Sequence, residues 1–208
     1  MTFHRRSHRL PPLPGTIRAP RALFVGRWGA LLERQDAPCK AFADARLAAK
    51  AGELLFRATQ AGWRLYLVGN EPDVARGRVS DTAWEAFQAD LHGHLAGLGI
   101  RVTRDYACLD HPQSGKGRHK RESVYRFPNT GALYHALQED GTDLRASWMI
   151  SDDVLELAGA SRAGVRTLSL GCAIRVVEGA IEVECEQHAA SFAEALSVIL
   201  AGDALRRV

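Results

Sequence analysis

Beyond its first twenty or so residues the chain alternates short apolar runs with longer stretches whose apolar residues recur every three or four positions. Ala22–Val25 is an apolar run stopped by Gly26, the form of a strand buried on both faces. Phe42 to Thr59 reads as a helix, with Leu47, Leu54, Leu55 and Ala58 on one face and Gly62 ending it. Arg64–Val68 is a second strand, followed by the loop Gly69-Asn70-Glu71-Pro72. Ser80 is placed to cap a helix carrying Trp84, Phe87, Leu91, Leu95 and Leu98 at helical spacing. Further strands are expected over 100–106, 146–150 and 165–170, with helices over 131–138 and 154–162 and an amphipathic segment over 191–200. Between them, 108–128 is a polar stretch with no periodicity.

Strands alternating with helices predict an α/β fold, a mainly parallel sheet with helices on both faces. In such sheets ligands bind beyond the carboxyl ends of the strands. The loops after Val25, Val68, Tyr106 and Ile150 are therefore the place to look for chemistry. A stretch as long as 108–128 inside a compact domain is either functional or disordered.

With 208 residues and 46% hydrophobic composition, the chain fits one such domain and can bury a real core. The net charge of +3 is unevenly placed. Arg5, Arg6, Arg9, Arg18 and Arg21 stand in residues 1–21 without an acidic residue, which leaves the remainder near −2, with 22 basic and 24 acidic side chains. Residues 1–21 read as a basic, flexible arm and 22–208 as the domain. A body of that charge argues against a nucleic-acid partner. No apolar run approaches the roughly 18 residues needed to span a bilayer, so no membrane partner is expected. Cys39, Cys108, Cys172 and Cys185 are widely spaced and fit reduced thiols in the cytoplasm.

Five segments carry a family resemblance. Phe24-Val25-Gly26-Arg27-Trp28-Gly29-Ala30-Leu31 is similar to F-L-D-R-D-G-T-L. Leu67-Val68-Gly69-Asn70-Glu71, continuing to Arg76-Gly77, is similar to V-V-T-N-Q-x-x-I-A-R-G. Cys108-Leu109-Asp110-His111-Pro112 resembles C-x-H-H-P, and Arg126-Phe127-Pro128 with Gly131 resembles R-K-P-x-x-G. Trp148-Met149-Ile150-Ser151-Asp152, followed by Ala158-Gly159 and Ala163-Gly164-Val165, resembles W-M-V-G-D-x and A-G-x-x-A-G-V. These are motifs of HAD-like (haloacid-dehalogenase-like) phosphatases of the heptose-bisphosphate and histidinol-phosphate type. The resemblance implies a Rossmannoid three-layer sandwich without a large cap domain.

It also implies a chemistry: a carboxylate nucleophile, a second carboxylate two residues on as acid/base, a hydroxyl and a lysine holding the phosphoryl group, and magnesium. Those positions are Gly26, Trp28, Gly69 and Phe127 here, while Asp152 survives and Glu156 stands where another aspartate is frequent. Loss of a nucleophile alone costs on the order of 10⁶-fold in well-studied hydrolases, or about 8 kcal/mol. The expectation is a catalytically inactive pseudophosphatase, a binding or interaction protein with a protein partner or self-association. Neither magnesium nor zinc is expected; Asp152 and Glu156 are weak candidates for the first, and Cys108, His111 and His119 for the second. Trp28 and Phe127 are expected to fill the old phosphate pocket. Asn70, Arg76 and Arg126 remain as binding candidates for a phosphorylated small molecule, and Arg27 survives without an assignable role. The alternatives are a residual or altered phosphatase acting on a sugar or histidinol-type phosphate, and a sensor of an anionic metabolite.

Overall fold

The computed structural model describes residues 19–171, 175–178 and 181–205, with the backbone alone at 175–178 and 203–205. Of the expected basic arm, all but residues 19–21 lies outside the described residues. Six parallel strands form the central sheet: β1 (Ala22–Gly26), β2 (Arg64–Asn70), β3 (Val102–Cys108), β4 (Trp148–Ser151), β5 (Arg166–Leu170) and, after a separate antiparallel pair β6 (Arg175–Glu178) and β7 (Ile181–Glu184), β8 (Gln187–Ala189). The order is β3-β2-β1-β4-β5-β8, so the winding reverses at β1 and β4. A crevice opens at such a reversal, and there the ligand site is expected.

Every residue of β1 is buried, and its alternation divides the core. Leu23 and Val25 point to a cluster with helices α1 (Ala51–Gln60), α3 (Asp81–Gly97) and α6 (Phe192–Leu205). Ala22 and Phe24 point to a second cluster with α4 (Gly131–Asp140) and α5 (Val154–Arg162). A short helix, α2 (Pro72–Ala75), follows β2 directly. The fold is thus the expected α/β three-layer sandwich.

The structure departs from the sequence expectations in three places. The helix expected from Phe42 forms only from Ala51, after a single 3-10 turn at Phe42–Asp44. Residues 45–48 are taken by a bridge instead: Glu33 N–H donates to Arg46 O and Ala48 N–H to Leu31 O, both at 2.9 Å. Backbone groups spent on that bridge cannot enter a helical ladder. The third strand begins at Val102, two residues later than expected, and runs on to Cys108. The β6–β7 pair and the edge strand β8 had no sequence expectation.

The polar stretch 108–128 is tied down by charge. His119 lies between Asp81 Oδ1 at 2.7 Å and Asp110 Oδ1 at 3.4 Å, while Arg121 Nε holds Asp110 Oδ2 at 2.9 Å and Arg118 holds Asp81 Oδ2 at 2.9 Å. Its far end is fixed by Phe127, which is fully buried in the second cluster. A Cβ on Gly159 of α5 would stand 2.6 Å from Phe127 Cδ1. Gly159→Ala should therefore cost about 1–3 kcal/mol through overpacking, measured by urea unfolding. An unchanged midpoint would show that the ring is loosely held.

Candidate functional site

A cleft of about 380 Å³ opens at the carboxyl ends of the strands, lined by Trp28, Asn70, Glu71, Arg76, His111, Arg126, Asp153 and Glu156 among others. That is a volume suited to a small organic ligand. The cleft's inner wall is organised by Arg27. Its backbone N–H donates to Val68 O at 2.9 Å, continuing the β1–β2 ladder one residue past β1. Its side chain is fully buried, with Nη1 paired to Glu71 and Nη2 to Asp105, and its guanidinium carbon lies 5.0 Å from the Trp84 ring centre.

The three charges act on one another. Burial opposes a charged Arg27, but Asp105 and Glu71 more than offset it, and the guanidinium is held protonated. Burial likewise pushes against an ionised Asp105, yet Arg27 and His92 keep its carboxyl below the usual range. In Glu71 burial wins over Arg27 and the Trp28 N–H, so its carboxyl is raised. Trp28 Nε1–H donates to Glu71 Oε2 at 3.0 Å, and its ring packs on Phe87 at 5.6 Å.

Glu156 enters the space beside Gly26. A Cβ on Gly26 would stand 2.5 Å from Glu156 Oε2 and 2.9 Å from Ser151 Oγ. The Ser151 hydroxyl donates to Glu156 Oε2 at 2.6 Å. Burial first, then Asp153 and Asp152, raise the Glu156 carboxyl well above the ordinary glutamate value, with Ser151 and Arg34 opposing. Asp152 is held by Arg34, whose Nε and Nη2 donate to its two oxygens at 2.6 and 2.7 Å. Asp153 caps α5, accepting from Leu155 N–H at 2.8 Å.

The expected residues separate into groups. Trp28 lines the cleft, but Phe127 belongs to the core on the other side of the sheet, so the two rings form no joint plug. Asn70 clasps the Phe127 backbone, donating to its O and accepting from its N–H, each at 3.0 Å. Its amide is spent on structure. The zinc candidates each have other partners: Cys108 Sγ faces Asp110 O at 3.7 Å, His119 sits between two aspartates, and His111 Nδ1 accepts from Gln113 and Ser114 N–H.

His111 and Arg126 make the most telling contact. Burial, then Arg126 and Arg76, depress the His111 pKa and favour the neutral ring. With Nδ1 accepting, the ring proton belongs on Nε2. Nε2 lies 3.2 Å from Arg126 Nη2, so two donors face each other across the cleft wall. Neither Arg76 nor Arg126 has an ion pair among the described residues, although Arg76 Nε reaches Ser114 Oγ at 3.3 Å. Two guanidinium groups thus line this side of the cleft beside the His111 ring.

No family model matches the chain. Over 145 residues it is 31% identical to D-glycero-D-manno-heptose-1,7-bisphosphate 7-phosphatase of Chlorobaculum tepidum, covering 67% of this chain and 70% of that protein. The chain belongs to this phosphatase family. A relative from Burkholderia mallei, the D-glycero-alpha-D-manno-heptose-1,7-bisphosphate 7-phosphatase, is 32% identical over 58% of this chain. The match spans slightly under two thirds of that relative's length, 64%. The fold matches the D,D-heptose 1.7-bisphosphate phosphatase of B. bronchiseptica, solved with magnesium and phosphate, at a TM-score of 0.73 and 20% identity, covering 88% of this chain and 99% of that one.

These comparisons correct two sequence expectations. The inactive interaction protein gives way because the curated relatives are named as phosphatases. The expectation of no cofactor gives way because the B. bronchiseptica enzyme carries magnesium. The physical reason lies in the site: motif matching registers a carboxylate only at its own position, whereas the carboxyls of Glu71 and Glu156 approach the vacated space from other elements. The sequence reading also missed Glu71, Asp105 and Arg34. The signal for Glu71 was its charge at a place where the family motif has glutamine; for Asp105 it was an acid inside an otherwise strand-like run.

Arg27→Met should lower the unfolding free energy by about 3–5 kcal/mol, since it leaves Glu71 and Asp105 buried without their cation. A loss below about 1 kcal/mol in a urea titration would show that water reaches the network. Glu156 yields a pH signature of defined sign. Its folded-state value is raised, so its contribution is complete below the unfolded value near 4.5 and is lost as pH rises through the folded value. Glu156→Gln should therefore flatten the fall of melting temperature with rising pH; identical slopes in both proteins would contradict a buried neutral carboxyl.

Proposed function

We propose that the chain hydrolyses a phosphate monoester of a phosphorylated sugar, with heptose bisphosphates as the leading substrate class. The observation that carries this reading is the wall of Arg76, His111 and Arg126, where two guanidinium groups without a carboxylate partner among the described residues line the cleft beside a histidine kept toward its neutral form. Charge-assisted hydrogen bonds from two guanidinium groups suit a phosphate. The position of the cleft where the sheet winding reverses, and membership of a family named for this reaction, support the same reading. A bisphosphate has a second anionic group, so one phosphate can anchor on this wall while the other lies nearer the end of β1.

Magnesium enters the proposal through the B. bronchiseptica neighbour, with Asp152 as the residue that would hold it. The donors as folded do not fit the ion. Asp152 has both oxygens on Arg34, Asp153 caps a helix, Glu156 is tied to Ser151, and position 26 offers no carboxylate. Among the described residues no three His, Cys, Asp or Glu side chains are grouped to hold a metal. No step is therefore drawn through it.

Among the described residues no helix is long and apolar enough to cross a membrane. Cys39 and Cys108 are free thiols, which supports a reducing, cytoplasmic setting.

The test is release of inorganic phosphate from heptose 1,7-bisphosphate, related sugar phosphates and histidinol phosphate, with magnesium present. Turnover above a protein-free control is expected for at least one of them, and silence on all would sink the reading. Arg126→Ala should raise KM about 10- to 100-fold, the loss of one charge-assisted phosphate contact. Its kcat should change far less.

A further inference from the structure

Resting on the hydrolase reading above, we propose that Glu71 is the acid–base residue of this protein, supplying from the end of β2 the carboxylate that the family motif places at position 28. The two positions have exchanged character. Where the motif has an acid the chain has Trp28, and where the motif has a glutamine it has Glu71. The exchange is not only one of letters, because Trp28 Nε1–H donates to Glu71 Oε2 at 3.0 Å and so holds the carboxyl against the edge of its ring, at the cleft. One negative charge has moved from the loop after β1 to the loop after β2.

The surroundings prepare Glu71 for this work. It lines the cleft yet is only 5% exposed, so its carboxyl is held rather than free to swing. Arg27 grips Oε1, and Asp105 in turn holds Arg27; these two are positioning residues. Gly69 keeps the approach open: a Cβ there would stand 3.3 Å from Glu71 Oε1 and 3.5 Å from Glu156 Oε1. The hydroxyl-bearing side chain that the resemblance would place at position 69 would crowd the Glu71 carboxyl, and glycine avoids that. The charged and titratable groups facing Glu71 are thus Arg27 from the β1 loop, Asp105 from β3 and Glu156 from α5.

In the reaction, the Glu71 carboxylate takes a proton from water as the water oxygen forms its bond to phosphorus. The ester P–O bond breaks, and the proton held by Glu71 passes to the departing sugar oxygen. The products are the alcohol and hydrogen phosphate, and the carboxylate is regenerated. General acid–base groups of this kind contribute about 10²–10⁴-fold.

The experiment measures phosphate release from heptose 1,7-bisphosphate across pH for wild type, Glu71→Gln and Trp28→Phe. Wild-type kcat should rise with pH as Glu71 ionises; Glu71→Gln should lose that rise and about 100-fold or more in kcat, with KM nearly unchanged. Trp28→Phe removes the donor that favours the ionised carboxyl, so the same rise should move to higher pH. Inorganic phosphate should still raise the melting temperature of Glu71→Gln, which separates a lost proton carrier from a collapsed site. Glu71→Gln activity within about threefold of wild type, or a pH profile that it leaves unmoved, would overturn the assignment while leaving the hydrolase reading intact. Wild-type silence on every phosphomonoester would overturn both.

Discussion

A buried arginine between two carboxylates is the constraint on which the site depends. Arg27 leaves β1 at the point where its last backbone hydrogen bond to β2 is made, and its side chain runs back to Glu71 after β2 and Asp105 within β3. Three neighbouring strands are thus joined at the cleft by one cation. Such a group is costly to bury alone and strongly held when paired. The same pairing decides where Glu71 points, and Glu71 decides how the Trp28 ring lies. Everything on that wall of the cleft follows from the guanidinium.

The other wall depends on the absence of side chains. Gly26 has no Cβ, and Glu156 occupies the space that one would need. Gly26, the last residue of β1, and Gly69, the last but one of β2, both border carboxyl oxygens rather than empty room. Loss of the familiar side chains from the β1 loop therefore did not leave an apolar plug. It left a pocket whose acids arrive from β2 and α5, opposite an anion-seeking wall of Arg76, His111 and Arg126.

The loop that resembles a zinc-binding segment shows the same substitution of one kind of bond for another. Asp110, standing where the resemblance would have a histidine, accepts from Arg121 and lies beside His119, which also meets Asp81. Ion pairs and the buried Phe127 anchor the stretch at its two ends. That order carries His111 and Arg126 to the same side of the cleft.

The sequence by itself determined the alternation of strands and helices, the parallel sheet and the edge at which the site lies. Strand-length apolar runs and helical spacing act over a few residues, and such local signals survive in any context. It also determined the family, because motif order along the chain is a one-dimensional property. The false helix from Phe42 shows the limit: its spacing was suitable, but Leu31 and Glu33 offered its backbone other partners from across a loop. Phe127 shows it again, since only packing against Gly159 puts the ring behind the sheet rather than in the cleft. What tertiary structure alone decided is which charges meet. Arg27 and Asp105 are 78 residues apart, and Arg34 and Asp152 are 118 apart. Electrostatic pairing acts through distance and burial, and neither is a property of position along the chain.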